Sequence, residues 1–249
     1  MTKTVHIPLV LFLLAGVGCK SISFSTQTSS ENGYKQKVAF ETVYYEANKQ
    51  MVLNNKENAL GLYHEAIVLD PKSHATMYQL AKLYYQANKS NEALYWAEKA
   101  VAQSPYNHWF SGQLGQFYSK YGKYPESANM FAQMVNAEPE EKQNYTEAAG
   151  QYFNAKNYNQ SVIYLKKMQD RFGIESESST RLEYVYSAMG KPELAVLEME
   201  KLAVHFPNEI QYKGYLSEAY QNAGKTEKAI ETLNDILTLD PNSGKAYYA

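Results

Sequence analysis

The chain has 249 residues, 45% hydrophobic and 20% charged, which excludes both a wholly disordered chain and a polytopic membrane protein. Its 24 Lys and Arg against 26 Asp and Glu leave a net charge of −2, not the basic excess of a nucleic-acid binder. A single cysteine excludes an intrachain disulfide and a cysteine-based metal site, while 23 tyrosines form an excess that needs a structural reason.

The chain opens MTKTVHIPLVLFLLAGVGC. Lys3 gives a basic start, and Ile7 to Val17 is an uncharged apolar run of eleven residues. A membrane-spanning helix needs about 20 such residues, so this run fits the core of a secretory signal instead. It ends in the small residues Ala15, Gly16, Val17 and Gly18, directly before Cys19. Residues 1–18 resemble a bacterial lipoprotein signal peptide, in which the cysteine is lipidated and becomes the new N-terminus. Gly16 departs from the leucine usual at that place. The resemblance implies lipidation at Cys19 and stable anchorage, since several acyl chains exceed what one reversible anchor provides. Lys20 stands where that family's inner-membrane retention signal has Asp. The implied address is the outer membrane, facing the periplasm.

Residues 19–37 contain seven Ser or Thr between Ser21 and Ser30 and no apolar periodicity. This composition predicts a flexible tether, with a mean reach of about 25 Å for a random coil of that length.

From residue 38 to 243 the chain repeats itself. Pro71, Pro105 and Pro139 are 34 apart, and Pro207 and Pro241 continue the register. The missing member falls at Gly173, another helix stopper. Tyr84, Tyr118, Tyr152, Tyr186 and Tyr220 also step by 34. Leu80, Leu114, Leu182 and Leu216 precede four of them by four residues, with Ala148 in the remaining place. A small-residue column runs through Ala59, Ala93, Ser127, Ser161, Ala195 and Ala229. Apolar residues at three- and four-residue spacing, such as Leu60, Tyr63 and Ile67, predict helices. Asn54, Asn88, Gly122, Gly190 and Gly224 supply turn residues tolerant of positive φ, with Lys156 the exception. Ser73, Asn107 and Ser243 are predicted N-caps, and Glu141, Glu175 and Glu209 hold equivalent places. Pro125 and Pro192 fall in first turns, where proline is tolerated.

This pattern resembles the tetratricopeptide repeat, a helix–turn–helix unit of 34 residues. The resemblance implies an all-α, right-handed superhelical solenoid of about six units, beginning near residues 40, 74, 108, 142, 176 and 210. One unit cannot bury its own apolar faces, so stability is shared with its neighbours. The fourth unit lacks the proline, leucine and turn glycine, which predicts a bend or loosening there. Residues 244–249 read as the start of a seventh, truncated unit. Without a capping helix, the sixth unit is expected to expose Ile230, Leu233 and Leu237, as in a piece of a longer protein.

No nucleophile motif or glycine-rich phosphate loop is present. His74 and His108 lie one period apart but have no third ligand at helical spacing, so neither a metal nor a cofactor is expected. The resemblance to the repeat family implies a non-enzymatic scaffold that binds a peptide or partner protein in its concave groove. The residues matching the inward face are Tyr44, Asn48, Tyr78, Lys82, Tyr85, Trp109, Gln116, Phe153 and Tyr184. Aromatic side chains are favoured anchors at binding hot spots. The family's carboxylate clamp is not matched, because of its places only Asn48 fits. The expected partners are therefore a protein or peptide in the groove and a membrane through the lipid anchor. Two alternatives remain at this point: the targeting part of a longer enzyme, and a glycan-capture lipoprotein.

Overall fold

The computed structural model describes residues 21–243, with side chains from residue 31 onward. The signal-like segment, Cys19 and residues 244–249 lie outside the described residues. Among the described residues there are twelve α-helices and no strand, so the fold is all-α. The helices are α1 (Ser21–Val52), α2 (Lys56–Leu69), α3 (His74–Gln86), α4 (Ser90–Gln103), α5 (His108–Lys120) and α6 (Tyr124–Ala137). They continue as α7 (Lys142–Asn154), α8 (Tyr158–Phe172), α9 (Ser176–Ala188), α10 (Pro192–His205), α11 (Ile210–Asn222) and α12 (Thr226–Leu239). The odd-numbered helices from α3 onward start at 74, 108, 142, 176 and 210, the expected unit boundaries. Two compact units divide between Lys72 and Ser73.

The first unit is the hairpin of α1 and α2. Ala47, Ala59, Tyr63 and Ala66 are fully buried in it. The Tyr63 hydroxyl donates to Asn48 Oδ1 at 2.7 Å, and Asn48 Nδ2 donates to the Tyr44 carbonyl at 2.9 Å. Residues 21–37, expected to form a tether, are instead helical as the first turns of α1. No proline interrupts 21–52, and Ser and Thr weaken a helix without stopping it. Extending a helix already nucleated costs far less than starting one, because each added residue brings a hydrogen bond. Gln36 Nε2 donates to the Leu69 carbonyl at 2.7 Å, closing the end of α2. The part of α1 before Gln36 is about 22 Å long at 1.5 Å per residue.

The second unit stacks five hairpins, α3–α4 to α11–α12. The small-residue column lies at each crossing: Ala93, Ser127, Ser161, Ala195 and Ala229 are at most 3% exposed. At one crossing the fit is close enough to need glycine. A Cβ on Gly115 would stand 2.8 Å from the Phe131 ring, and Ser127 Oγ donates to the Gly115 carbonyl at 2.7 Å.

The tyrosine column bridges successive hairpins. Tyr118 on α5 donates to Glu98 on α4 at 2.8 Å, and Tyr220 on α11 donates to Glu200 on α10 at 2.6 Å. Tyr152 on α7 donates to Asn129 on α6 at 3.0 Å. Ser73 and Asn107 cap α3 and α5 through their side chains, accepting from the Thr76 and Phe110 amides. Glu141 accepts from the Gln143 amide, whereas Glu175 and Glu209 make no side-chain cap bond. Pro125 and Pro192 sit in first turns, and Gly173 ends α8 with φ +88°.

The fourth hairpin, α7–α8, is not loosened as expected. It is part of a core cluster that runs from Phe131 to Ala195. The buried rings of Tyr145 and Tyr164 and the side chain of Met168 supply bulk that Ala148 lacks. The thin place lies one step later, where α8 and α9 touch least among neighbouring helices of this unit. There Glu198 of α10, 2% exposed, takes a place that Trp96, Met130 and Tyr164 fill in earlier repeats. Its carboxylate is 2.6 Å from Lys166 Nζ on α8 and 3.0 Å from Lys201 Nζ. Gln169 Nε2 reaches both Ser179 Oγ on α9 and Glu198 Oε2. At the last hairpin Ile230 is exposed, while Leu216, Leu233 and Leu237 are half-buried.

Two of these features are open to direct test. Lys156 holds the left-handed turn with φ +59°, where four other turns of this unit place Asn88, Gly122, Gly190 or Gly224. Lys156→Gly relieves that strain and offsets the extra chain entropy, raising stability by about 0.5–1 kcal/mol in urea unfolding. A lowered urea midpoint contradicts it. The second concerns Glu198. Burial pushes its carboxyl up, but hydrogen bonds from Lys166 and Lys201 outweigh burial and hold it below its ordinary value of 4.5. A depressed carboxyl contributes stability above that value, lost as pH falls through the lower folded value. Glu198→Gln should cost roughly 1.5–3 kcal/mol at pH 7, the size of charged hydrogen bonds, and the gap should close in acid. A gap that stays constant from pH 7 to pH 3 refutes the assignment.

Candidate partner-binding groove

In the first unit Tyr44 is half-buried, with its ring 5.7 Å from Phe40 and 5.8 Å from Tyr63. Asn48 uses both ends of its amide inside the hairpin, so it is a packing residue of this unit rather than a free clamp.

In the second unit the expected residues fall into two groups. The first group spans α3 and α5. Tyr78 meets Trp109 at a tilt at 4.2 Å and stacks on Phe110 at 5.5 Å, and Tyr85 lies flat on Phe117 at 4.2 Å. Both tyrosines are half-buried, while Trp109 remains 54% exposed. The cation above Tyr85 is Lys120, at 3.8 Å, which also donates to the Tyr85 carbonyl at 3.2 Å. Lys82, expected on the groove face, is half-buried on α3. Gln116 is exposed on α5.

The second group spans α7, α8 and α9. Phe153 and Tyr184 have ring centres 5.0 Å apart, and Tyr184 is 61% exposed. They stand at the mouth of a half-open cavity of about 440 Å³. Ala149, Leu165 and Val185 line it with apolar surface, and Asn154, Thr180 and Arg181 add polar groups. Ser161 also lines it, and its hydroxyl is buried with no hydrogen-bond partner. The cavity has a sequence cause. Gly150 occupies the column that elsewhere holds Lys82, Gln116 and Tyr184, and nothing lies within 4 Å of where its Cβ would be. The missing side chain leaves the space over α7 open.

Tetratricopeptide repeat family models match residues 45–108 and 215–243. The hairpins between them keep the same 34-residue step and the same crossing column. The two matched stretches are tetratricopeptide repeats. No curated protein matches its sequence. The fold is similar to that of MamA, at 17% identity, covering 72% of this chain and 96% of that one with a TM-score of 0.52. A tetratricopeptide repeat protein from Parabacteroides merdae aligns at 14% identity, 84% and 82% coverage and a TM-score of 0.54. The Naa15/Naa10 structure bound to HypK-THB gives a TM-score of 0.67 at 18% identity, covering 89% of this chain but 35% of that one.

Within this repeat protein, the residues that sequence reasoning passed over are Lys120, Gly150, Ser161, Thr180 and Arg181. Gly150 was detectable as the small member of the column containing Lys82, Gln116 and Tyr184. Ser161 was visible as a member of the crossing column, but only packing shows that its hydroxyl lacks the bond that Ser127 makes.

Half-burial of Tyr78 means that its ring supports the fold as well as the groove surface. Trp109→Ala loses ring contacts to Tyr78 and Phe110 from an exposed position, about 1–2 kcal/mol. Tyr118→Ala removes a bridging ring and its bond to Glu98, and should cost about 2–4 kcal/mol. Tyr78→Ala should fall between them. Thermal unfolding of the three variants checks the order, and an equal loss for Trp109 and Tyr118 contradicts it.

Proposed function

We propose that this repeat protein is a non-enzymatic scaffold that binds an extended peptide or a partner protein along the first helices of its repeats. The observation that carries this reading is the row of accessible aromatic groups on those helices, Trp109 on α5 and Tyr184 on α9, the latter beside an open cavity. Trp and Tyr held rigidly at a surface are the usual anchors of protein interfaces. Among proteins of similar fold, Naa15/Naa10 is bound to HypK-THB. The proposal includes an envelope address. Cys19 follows an apolar signal core and carries the lipid that anchors the scaffold to the outer membrane, facing the periplasm. An envelope assembly or secretion machine is the setting that such an anchored scaffold would serve.

Two measurements test the two halves. A photo-crosslinking residue placed at Trp109 in cells should trap a protein partner, while the same residue at Tyr95, exposed on the second helix α4, should not. Equal labelling from both places refutes the groove. Cys19→Ala should move the protein from the membrane fraction to the soluble fraction and abolish acyl labelling. Membrane retention without any acyl label on the wild type removes the anchor from the proposal.

A further inference from the structure

The hairpin of α1 and α2 buries one side of α1 and leaves a patterned side uncovered. Ala47 is fully buried and Phe40, on the same side of the helix, is half-buried. On the far side, Tyr34, Val38, Tyr45 and Val52 are 70%, 42%, 70% and 86% exposed. Their steps of four, seven and seven residues bring them within about 40° of one another at 3.6 residues per turn. Apolar side chains scattered singly over a surface need no explanation. A stripe at heptad spacing does, because it is the seam by which one helix packs against another.

The flanks of the stripe identify that other helix. Glu31 and Lys49 are eighteen residues apart, five whole turns, so they share one flank. Lys37 and Glu41, one turn apart, share the other. All four are exposed and held only in local pairs along α1, Lys35–Glu31 at 2.7 Å, Lys37–Glu41 at 3.9 Å and Lys49–Glu46 at 3.0 Å. Such pairs hold their charges weakly, and a charge brought up from outside can share them.

We infer that this stripe is a two-fold, antiparallel interface with α1 of a second copy of the chain. In an antiparallel pair like flanks face each other. Setting Tyr34 against Tyr45 of the second copy fixes the register from the aromatic residues alone. Glu31 then falls within one residue of Lys49 of the second copy, and Lys37 within one residue of Glu41 of the second copy. The two-fold axis repeats each contact, giving two tyrosine pairs and four ion pairs in one register. The two Val38 side chains lie at the centre, about 4.5 Å apart along the axis. A parallel pair in register loses the match, because Glu31 and Lys49 then stand about 27 Å apart along the axis. The charge order of α1, read in reverse, is its own complement, and this favours a second copy over a foreign helix. The inference goes beyond the scaffold reading, since none of the proposed groove residues takes part.

Sedimentation equilibrium of the full chain in density-matched detergent tests it, with reductant present so that Cys19 cannot link copies. The wild type should dimerise reversibly at concentrations up to roughly 100 µM. Tyr45→Glu, at an exposed helical place, should leave the melting temperature unchanged and weaken the dimer more than about tenfold. Glu31→Lys and Lys49→Glu each set like charges opposite one another and should weaken it about fivefold at low salt. A one-to-one mixture of these two variants should recover the wild-type affinity, because their antiparallel heterodimer pairs opposite charges at both ends. A wild type that stays monomeric overturns the inference, as does a dimer that survives Tyr45→Glu. So does a mixture that associates no better than its components. A dimer lost on Ile230→Glu instead places the contact at the last hairpin, and a monomer that crosslinks from Tyr45 to a different protein in cells gives the stripe to a foreign helix; either result overturns the inference.

Discussion

A helix hairpin of about 30 residues has too little interior to fold alone, and the whole second unit is a response to that shortage. Each hairpin closes on a small residue, which brings its two helices near enough for their apolar faces to merge. It then needs a neighbour to cover what remains. The buried columns meet both needs at fixed positions, which is why they recur so strictly. Ala93 and Ala195 serve the crossing, and Leu80, Leu114 and Leu182 serve the stack. The last hairpin shows the same rule in reverse. Leu216 holds the leucine column but is only half-buried, because no described hairpin lies beyond it.

The junction between the fourth and fifth hairpins obeys the rule by a different route. One apolar cluster joins Leu165 and Met168 of α8 to Leu182 and Val185 of α9, and a cavity opens on one side. Glu198 adds a polar tie from α10. Its carboxylate gathers Lys166 and Gln169 of α8, and Gln169 in turn holds Ser179 of α9. A buried ion network is a poor source of net stability but fixes geometry well, since any other arrangement leaves a buried charge unpaired. Polar groups whose removal is costly thus add directional ties to the apolar core at this junction. The space beside Gly150 is free to stay open.

Periodic features were legible in the sequence and nonperiodic ones were not. Helix starts at 74, 108, 142, 176 and 210 could be read directly, because proline, leucine and tyrosine columns mark them redundantly. The first turns of α1 could not, since Ser-rich composition signals a tether, while helix propagation depends on the stable helical turns further along the chain. The fourth repeat misled in the opposite sense. Its missing leucine was visible, but the replacement bulk comes from Tyr145, Tyr164 and Met168, which occupy other columns. At the site, exposed aromatic residues announced themselves through their size. The cavity did not, because it goes with an absent side chain at Gly150. Sequence patterns report what is present, and a binding cavity is defined by what is missing.

The tyrosine excess has a related logic. A phenylalanine would fill the space between hairpins equally well, yet the column is tyrosine in every repeat from Tyr84 to Tyr220. The hydroxyl adds a directional tie across the hairpin boundary, to Glu98, Asn129 or Glu200. Burial and a hydrogen bond to Glu200 push the Tyr220 hydroxyl up to about 12, and burial followed by Glu98 raises Tyr118 further. Both hydroxyls are thereby favoured as protonated donors. Ring and hydroxyl also divide the work at Tyr118, Tyr152 and Tyr220: the ring fills space between hairpins, and the directional hydroxyl bond restrains rotation of one against the next. A phenylalanine column would keep the first and lose the second, leaving each groove position free to drift relative to the next. A surface that displays Trp109 and Tyr184 two repeats apart needs that rotation fixed if one partner is to engage both.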